Sequence, residues 1–280
     1  MGYPRIDLAG AVVAITGGAR GIGRATGAAF AAKGATVVLG DLDTAVVRAT
    51  AESLGVAGHP LDVTDRDSFA AFLDAAGEVD VLVNNAGVMP LGPFADEPDA
   101  LSRTTMDVNV WGPIHGMRLA LPGMVARGRG HVVNIASMAG KIPIPGMAVY
   151  NASKFAVVGL SAAVRAEYAR TGVSVSAVLP AAVRTELSSG APLGRGLPTV
   201  DPEAIADAVV RSVRTRRAEI PVPGFLAGWD LLNAVTPEAV LRAGRRAVRD
   251  DRALTSLDHS ARAAYTERVE RQARADRQRK

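Results

Sequence analysis

Short apolar runs alternate along this chain with longer stretches in which apolar positions recur every three to four residues. Aliphatic and β-branched residues dominate 12–15, 37–39, 79–83, 132–135 and 173–179. Runs of that length and composition predict strands covered on both faces. Between them, 22–33, 44–54, 66–76, 114–127 and 148–170 carry the helical period. A less regular third strand ends at Asp62-Val63, and a helix over 202–215 followed by a strand near 219–222 closes the series. Strict strand–helix alternation, about seven strands in all, predicts an α/β fold: a doubly wound parallel sheet joined by right-handed crossovers.

The pattern shows no internal repeat and no second boundary before residue 224. Residues 1–224 are therefore read as one ligand-binding domain, and 225–280 as a helical, basic extension without a core of its own. Segment 225–235 is apolar with a single Asp, and 237–248 and 257–277 read as helices, the second strongly charged. The extension is read as a solvated helix. The alternatives are a cap over a substrate entrance, a subunit contact, or a peripheral contact with anionic membrane. Segment 190–199, rich in Gly, Pro and Leu, follows a strand's carboxyl end and is either a ligand lid or an ordinary surface loop.

Composition narrows the field. Hydrophobic residues make up 48% of the 280 positions and aromatics only 4%, which suits closely packed helix–sheet layers. The absence of cysteine removes disulfides, thiolate ligands and a Cys nucleophile, and with no secretory or membrane-spanning pattern it leads to an expected cytoplasmic location. The net charge of +4 is uneven: residues 241–280 hold twelve Lys+Arg against six Asp+Glu, so the first 240 residues sum to −2. A body of that charge gives no footprint for nucleic acid. Neither a Gly-x-Ser-x-Gly elbow nor a His-Glu-x-x-His pair occurs, the four histidines are scattered, and no metal site is expected.

Thr16-Gly17-Gly18-Ala19-Arg20-Gly21-Ile22-Gly23 follows the first strand and opens a helix. Glycines there let the chain bend tightly and admit a pyrophosphate against bare backbone, while the helix start offers unpaired N–H groups. Asp41-Leu42 follows the second strand at the spacing of an acid that binds an adenosine ribose. A carboxylate there repels a 2′-phosphate and favours NAD over NADP, whereas Arg20 pulls the other way. Asp41 also has the position of a helix cap, and so has Asp62, whose carboxylate is otherwise placed to reach an adenine amino group.

Tyr150-x-x-x-Lys154 opens a long helical pattern, and the i, i+4 spacing puts both side chains on one face. A phenol has a pKa of about 10 and is a poor base at neutral pH, but an ammonium one turn away stabilises its anion. Such a pair is equipped for general acid/base work at a hydroxyl or carbonyl. Ser137 ends the fifth strand, Asn84-Asn85-Ala86-Gly87 ends the fourth, and Asn109 lies in a helix ahead of Trp111-Gly112. All fall at strand carboxyl ends or on adjoining helices, where sheets of this kind bind ligands.

Taken together, Thr16-Gly17-x-x-x-Gly21-Ile22-Gly23, Asp62-Val63, Asn84-Asn85-Ala86-Gly87, Asn109, Ser137, Tyr150-x-x-x-Lys154 and the Pro180–Thr185 segment resemble the short-chain dehydrogenase/reductase family over roughly residues 6–224. The resemblance implies a Rossmann-type sheet and hydride transfer between a nicotinamide and an alcohol or carbonyl carbon. Tyr150 would then exchange the proton with the substrate oxygen, Ser137 would orient that oxygen, Lys154 would hold the nicotinamide ribose and tune Tyr150, and Asn109 would hold a water of a proton relay. Asn85, Ala86 and Gly87 would pack on the adenosine side, and Val183 and Thr185 would meet the carboxamide. It also implies a homotetramer built through the helices at 101–127 and 148–171. One departure is Ala181, where the family usually has Gly after Pro180.

The segments after the fourth, fifth and sixth strands are apolar, with Met89, Met138, Ile142, Met147, Leu187 and Leu193 prominent. They predict a small hydrophobic alcohol, ketone or aldehyde as substrate. Two other functions fit the same chain: a catalytically silent NAD-binding interaction protein, and an epimerase or dehydratase using transient oxidation.

Overall fold

The computed structural model describes residues 2–191, 198–241, 243 and 252–279. Among the described residues there are nine strands: β1 (Val12–Thr16), β2 (Thr36–Asp41), β3 (Ala57–Pro60), β4 (Val81–Asn84), β5 (Gly130–Ile135), β6 (Val173–Pro180), β7 (Ala182–Val183), β8 (Thr199–Val200) and β9 (Glu219–Val222). The helices are α1 (Gly21–Ala31), α2 (Thr44–Leu54), α3 (Arg66–Ala76), α4 (Asp99–Met106), α5 (Gly112–Ala126), α6 (Ala148–Glu167), α7 (Pro202–Thr215) and α8 (Trp229–Val235). A short turn of helix, Arg252–Thr255, precedes the C-terminal helix, His259–Arg279.

Seven strands form one parallel sheet in the order β3-β2-β1-β4-β5-β6-β9. The strand runs predicted it because a strand buried on both faces has no reason to alternate polarity: every residue of β5 and β6 is buried. Ile15 of β1 lies beside Leu39 on one side and Val83 on the other. One apolar layer gathers Phe30 of α1, Val47 of α2 and Ile205 and Val209 of α7 against the sheet. The opposite layer gathers Phe69 and Phe72 of α3 and Met117 and Leu121 of α5. The order reverses between β1 and β4, so the crevice at their carboxyl ends is the switch point where ligands bind in such sheets.

Three details depart from the sequence reading. The third strand ends at Pro60, short of Asp62, because the Asp62 carboxylate accepts both the N–H and the hydroxyl of Thr64 and turns the chain. The caps of α2 and α3 are Asp43 and Asp65, not Asp41 and Asp62. Asn109 sits in a single π-turn, Asp107–Trp111, that joins α4 to α5; such turns recur at functional sites.

The C-terminal helix is not the solvated rod expected. Arg262, Tyr265, Val269 and Ala273 are buried, and Tyr265 and Val269 join the apolar layer that holds Phe69 and Leu121. The helix packs on α4. Half of the expected 237–248 helix, together with Leu193 and the middle of the 190–199 segment, lies outside the described residues.

Candidate active site

At the carboxyl ends of β1, β4, β5 and β6 lies a cavity of about 670 Å³. The glycine turn forms its floor on the nucleotide side. Gly17 has φ +65°, and a Cβ there would come within 2.8 Å of Ala86 Cα. A Cβ on Gly23 would lie 2.1 Å from the Gly17 carbonyl oxygen. The turn is tied to the end of β4, since Asn85 Nδ2 donates to the carbonyls of Thr16 and Gly17 at 2.9 and 3.0 Å. Thr16 Oγ1 accepts the N–H groups of Asn85 and Ala86. Only glycines allow this approach, and α1 starts there with no side-chain cap on its first N–H groups.

Asp41 stands beside that floor. Its carboxylate accepts the N–H of Ala19 at 3.1 Å and of Asp43 at 3.0 Å, which fixes it against the turn. Arg20 is engaged: its guanidinium pairs with Asp43 at 2.8 Å and lies 3.6 Å from Glu186. Gly17, Arg20, Gly21, Ile22, Leu42, Asp62, Val63, Asn85, Ala86 and Gly87 line the same cavity, as do Pro180, Val183 and Thr185 across from them. Of the expected nucleotide-side residues, Gly23 alone is absent from the wall, its role being the close approach beneath it. Ala181 needs no left-handed backbone; its N–H donates to Val222 O at 2.8 Å.

Deeper in, α6 presents Tyr150 and Lys154, both buried. Ser137 stands near the Tyr150 phenol and lowers its pKa, and Ser137 Oγ lies 3.5 Å from Pro180 O. Burial pushes the Tyr150 phenol well above its usual range, and this outweighs the lowering by Ser137. Lys154 Nζ donates to Ile135 O at 3.0 Å and lies 5.6 Å from the Tyr150 ring centre. Burial pulls its pKa down to about 8, so it remains an ammonium at neutral pH. Ser137 Oγ also accepts the N–H of Ala139 at 3.0 Å. Loss of water therefore outweighs any lowering of the phenol by the ammonium one turn away, whose Nζ lies on the same side of the helix.

Asn109 is placed differently from expectation. Both amide hydrogens are committed, to Val88 O at 2.9 Å and Ser153 Oγ at 3.0 Å, while Oδ1 accepts the Val88 N–H at 2.8 Å. The side chain therefore clamps the chain after β4 to α6, and does not itself face the cavity. Behind it, Asn84 Nδ2 donates to Asn134 Oδ1 and Asn134 Nδ2 donates to Ser161 Oγ, a buried polar ladder joining β4, β5 and α6.

Met89, Met138, Met147 and Leu187 line the remaining wall with Ile144. Ile142 does not; it packs against the cluster of Met138 and Val157. Lys141 and Arg184, near in sequence, are paired with Glu219 and Asp230 and with Asp201 respectively. Sequence reasoning missed the outer wall: Tyr265, Arg268, Val269, Arg271 and Gln272 reach the cavity from the C-terminal helix, and Asp43 and Glu186 join them. The signal was there in the three-to-four spacing of Arg262, Tyr265, Val269 and Ala273, but an arginine in the stripe disguised it.

No group of three or more potential metal ligands, and no helix long and apolar enough to cross a membrane, occurs among the described residues.

Comparison with known proteins agrees with this geometry. The profile of the short chain dehydrogenase family matches residues 11–194. The chain is 31% identical over 276 residues to the probable oxidoreductase EphD of Mycobacterium tuberculosis, covering 88% of this chain and 46% of that protein. It thus spans about half the length of that relative. It is 33% identical over 254 residues to estradiol 17-beta-dehydrogenase 11 of Rattus norvegicus, covering 86% of this chain and 85% of the relative. A short chain dehydrogenase/reductase from Burkholderia phymatum, crystallised with NAD, superposes with a TM-score of 0.73 at 29% identity over 81% of this chain and 93% of that one. The chain belongs to the short chain dehydrogenase family of oxidoreductases.

Proposed function

We propose that this protein is an NAD-dependent alcohol dehydrogenase or ketoreductase acting on a hydrophobic secondary alcohol, ketone or aldehyde. The observation that carries the reading is the convergence of Ser137, Tyr150 and Lys154 in one cavity with the glycine turn and Asp41. The residues fit a dinucleotide: the turn leaves bare backbone where a Cβ would collide, and Asp41 is held in place with its carboxylate at the wall. When bound, NAD supplies a hydride acceptor, and NADH a hydride donor. Asp41, with Asp43 two residues on, opposes a 2′-phosphate, and Arg20 is already engaged by Asp43 and Glu186.

The chain's own part is proton handling and position. Tyr150 keeps its proton at neutral pH and donates it to a carbonyl oxygen as that oxygen gains charge. Ser137 donates a hydrogen bond to the same oxygen. Lys154 spends one hydrogen on Ile135 O; its others would be available to hold the cofactor ribose, and its charge would stabilise the phenolate left behind. A proton relay through Asn109 would run through its backbone or the remaining Oδ1 lone pair. The methionine- and leucine-lined wall, and the pairing of Lys141 and Arg184 elsewhere, favour an apolar substrate over a small carboxylate. Residues 1–224 and the extension act as one unit in this reading, in the cytoplasm. The exposed Trp111 and Phe155, on the helices expected to build a tetramer, support that assembly. Phe225, Leu231 and Val235, exposed around α8, are the side chains that would make a peripheral membrane contact.

Calorimetry of NADH and NADPH on wild type and Asp41→Ala tests the cofactor. Tight NADH, weaker NADPH and a gap narrowed about tenfold in the variant are expected, by roughly 1.4 kcal/mol. Stronger NADPH binding by wild type would reverse the choice. Tyr150→Phe should keep NADH affinity and lose about 10²–10⁴-fold in turnover on a panel of lipophilic ketones. Binding without any carbonyl reduction by wild type would favour a silent NAD-binding protein. Retained cofactor with substrate conversion but no net NADH change would favour an epimerase or dehydratase.

A further inference from the structure

We propose that the dinucleotide site extends onto the C-terminal helix: Arg268, joined through Glu186 to Arg20, forms a clasp over the nucleotide half of the cleft that opens for cofactor to enter and leave. The inference rests on the cofactor reading above.

The helix is held where the clasp needs it. Arg262 is buried and donates to the carbonyls of Leu187 at 3.1 Å and Ser189 at 2.8 Å, and also to that of Met89. Tyr265 Oη accepts the Met89 N–H at 2.7 Å. The Asp258 N–H donates to Gly190 O at 2.9 Å. The helix is thus tied to the chain after β4 and to the chain after β6, on the two sides of the cavity mouth. Its Arg262 and Arg268 guanidinium groups stand 4.7 and 5.4 Å from the Tyr265 ring centre.

One turn beyond this anchor, Arg268 reaches the nucleotide side. Its guanidinium lies 3.0 Å from Glu186 Oε2, the same oxygen that lies 3.6 Å from Arg20 Nε. Arg20 in turn holds Asp43 at 2.8 Å. The run Asp43–Arg20–Glu186–Arg268 draws on four separated segments: the start of α2, the glycine turn, the chain after β7 and the C-terminal helix. All four residues line the cavity that also holds Gly17 and Asp41, and Arg271 and Gln272 continue the wall beside them. The run itself is charge-balanced, two arginines against Asp43 and Glu186, and Arg271 adds a positive charge to the wall beside it, which suits the diphosphate of a dinucleotide. The side chains are one-third to one-half exposed, so each pair is individually weak and open to screening by salt.

The test is stopped-flow release of NADH, followed by its fluorescence, from full-length wild type, Arg268→Ala, Arg268→Lys and Glu186→Gln. In about 50 mM salt, Arg268→Ala and Glu186→Gln should release NADH about 3- to 10-fold faster, with Arg268→Lys between them and wild type. At about 0.5 M salt the gap should close to under about twofold, because screening opens the clasp in wild type as well. A helix acting only as a structural wall would keep its gap at high salt, and that result overturns the clasp. Release from Arg268→Ala within about twofold of wild type in low salt overturns it too. Wild type that binds neither NADH nor NADPH would overturn the cofactor reading, and the clasp with it; binding with unaltered release overturns the clasp alone.

Discussion

Ser137, Tyr150 and Lys154 enter the cavity from β5 and α6, among neighbours set by strand pairing and by the apolar layers. Tyr265, Arg268 and Arg271 reach the same cavity from a helix that packs Tyr265 and Val269 on an apolar layer and is tied to the cavity mouth by side chains that bond loop carbonyls and carboxylates. The inner wall follows from the fold, because moving it means breaking a parallel sheet. The outer wall depends on a few charge-assisted bonds, so single substitutions should loosen it while the sheet stays intact. The two walls should therefore fail under different stresses.

The largest expected effect is on the inner wall. Gly23→Ala drives a Cβ into the Gly17 carbonyl and against Asn85 Nδ2, atoms of the residues that directly follow β1 and β4. NADH affinity should fall about 100-fold or more, roughly 3 kcal/mol, with a lowered Tm. Unchanged affinity by calorimetry would show that the turn is more compliant than the sheet it joins.

The outer wall should yield to Arg262→Met. The variant keeps the bulk of the stem but leaves three loop carbonyls without their donor. A local loss of about 2–3 kcal/mol is expected, read as faster amide exchange over 259–274 with unaltered exchange in β1, β4 and β5. Faster exchange spreading into those strands would break the distinction between the walls.

Acid should act on the sheet side first. His131 of β5 is fully buried between Ser174 and Ser212, beside Arg216, and burial lowers its pKa from 6.5 to about 3. The folded state binds this proton more weakly than the unfolded chain does. Stability is therefore lost as pH falls below about 6.5, and the loss continues to about 3. At pH 5 the contribution is about 2 kcal/mol. Urea unfolding at pH 7.5 and pH 5 should show that loss in wild type and a smaller one in His131→Gln. Equal losses in both would place the acid sensitivity elsewhere.

Much of the inner wall was legible in the sequence because its determinants are local. Apolar runs such as those of β1 and β5 fix strand position, and strand–helix alternation fixes a parallel sheet. The glycine turn, Asp41, Ser137 and Tyr150-x-x-x-Lys154 then fall at carboxyl ends by chain order alone. Bonds to partners distant in the chain were not. The commitment of the Asn109 amide to Val88 and Ser153 is not marked in the sequence. Ile142 reads as substrate-facing until it is seen packed on Met138 and Val157.

The sequence by itself determined the fold class and the chemistry at the sheet's edge, since periodicity and turn chemistry act over a few residues. Only the tertiary structure decided that a charged C-terminal helix closes the cavity. The local spacing of Arg262 with Tyr265 and Val269 does not name its partners, which lie in the chain after β4 and after β6, more than 70 residues away. Nor does local sequence set the Tyr150 proton, which is governed by the exclusion of water once the walls have met.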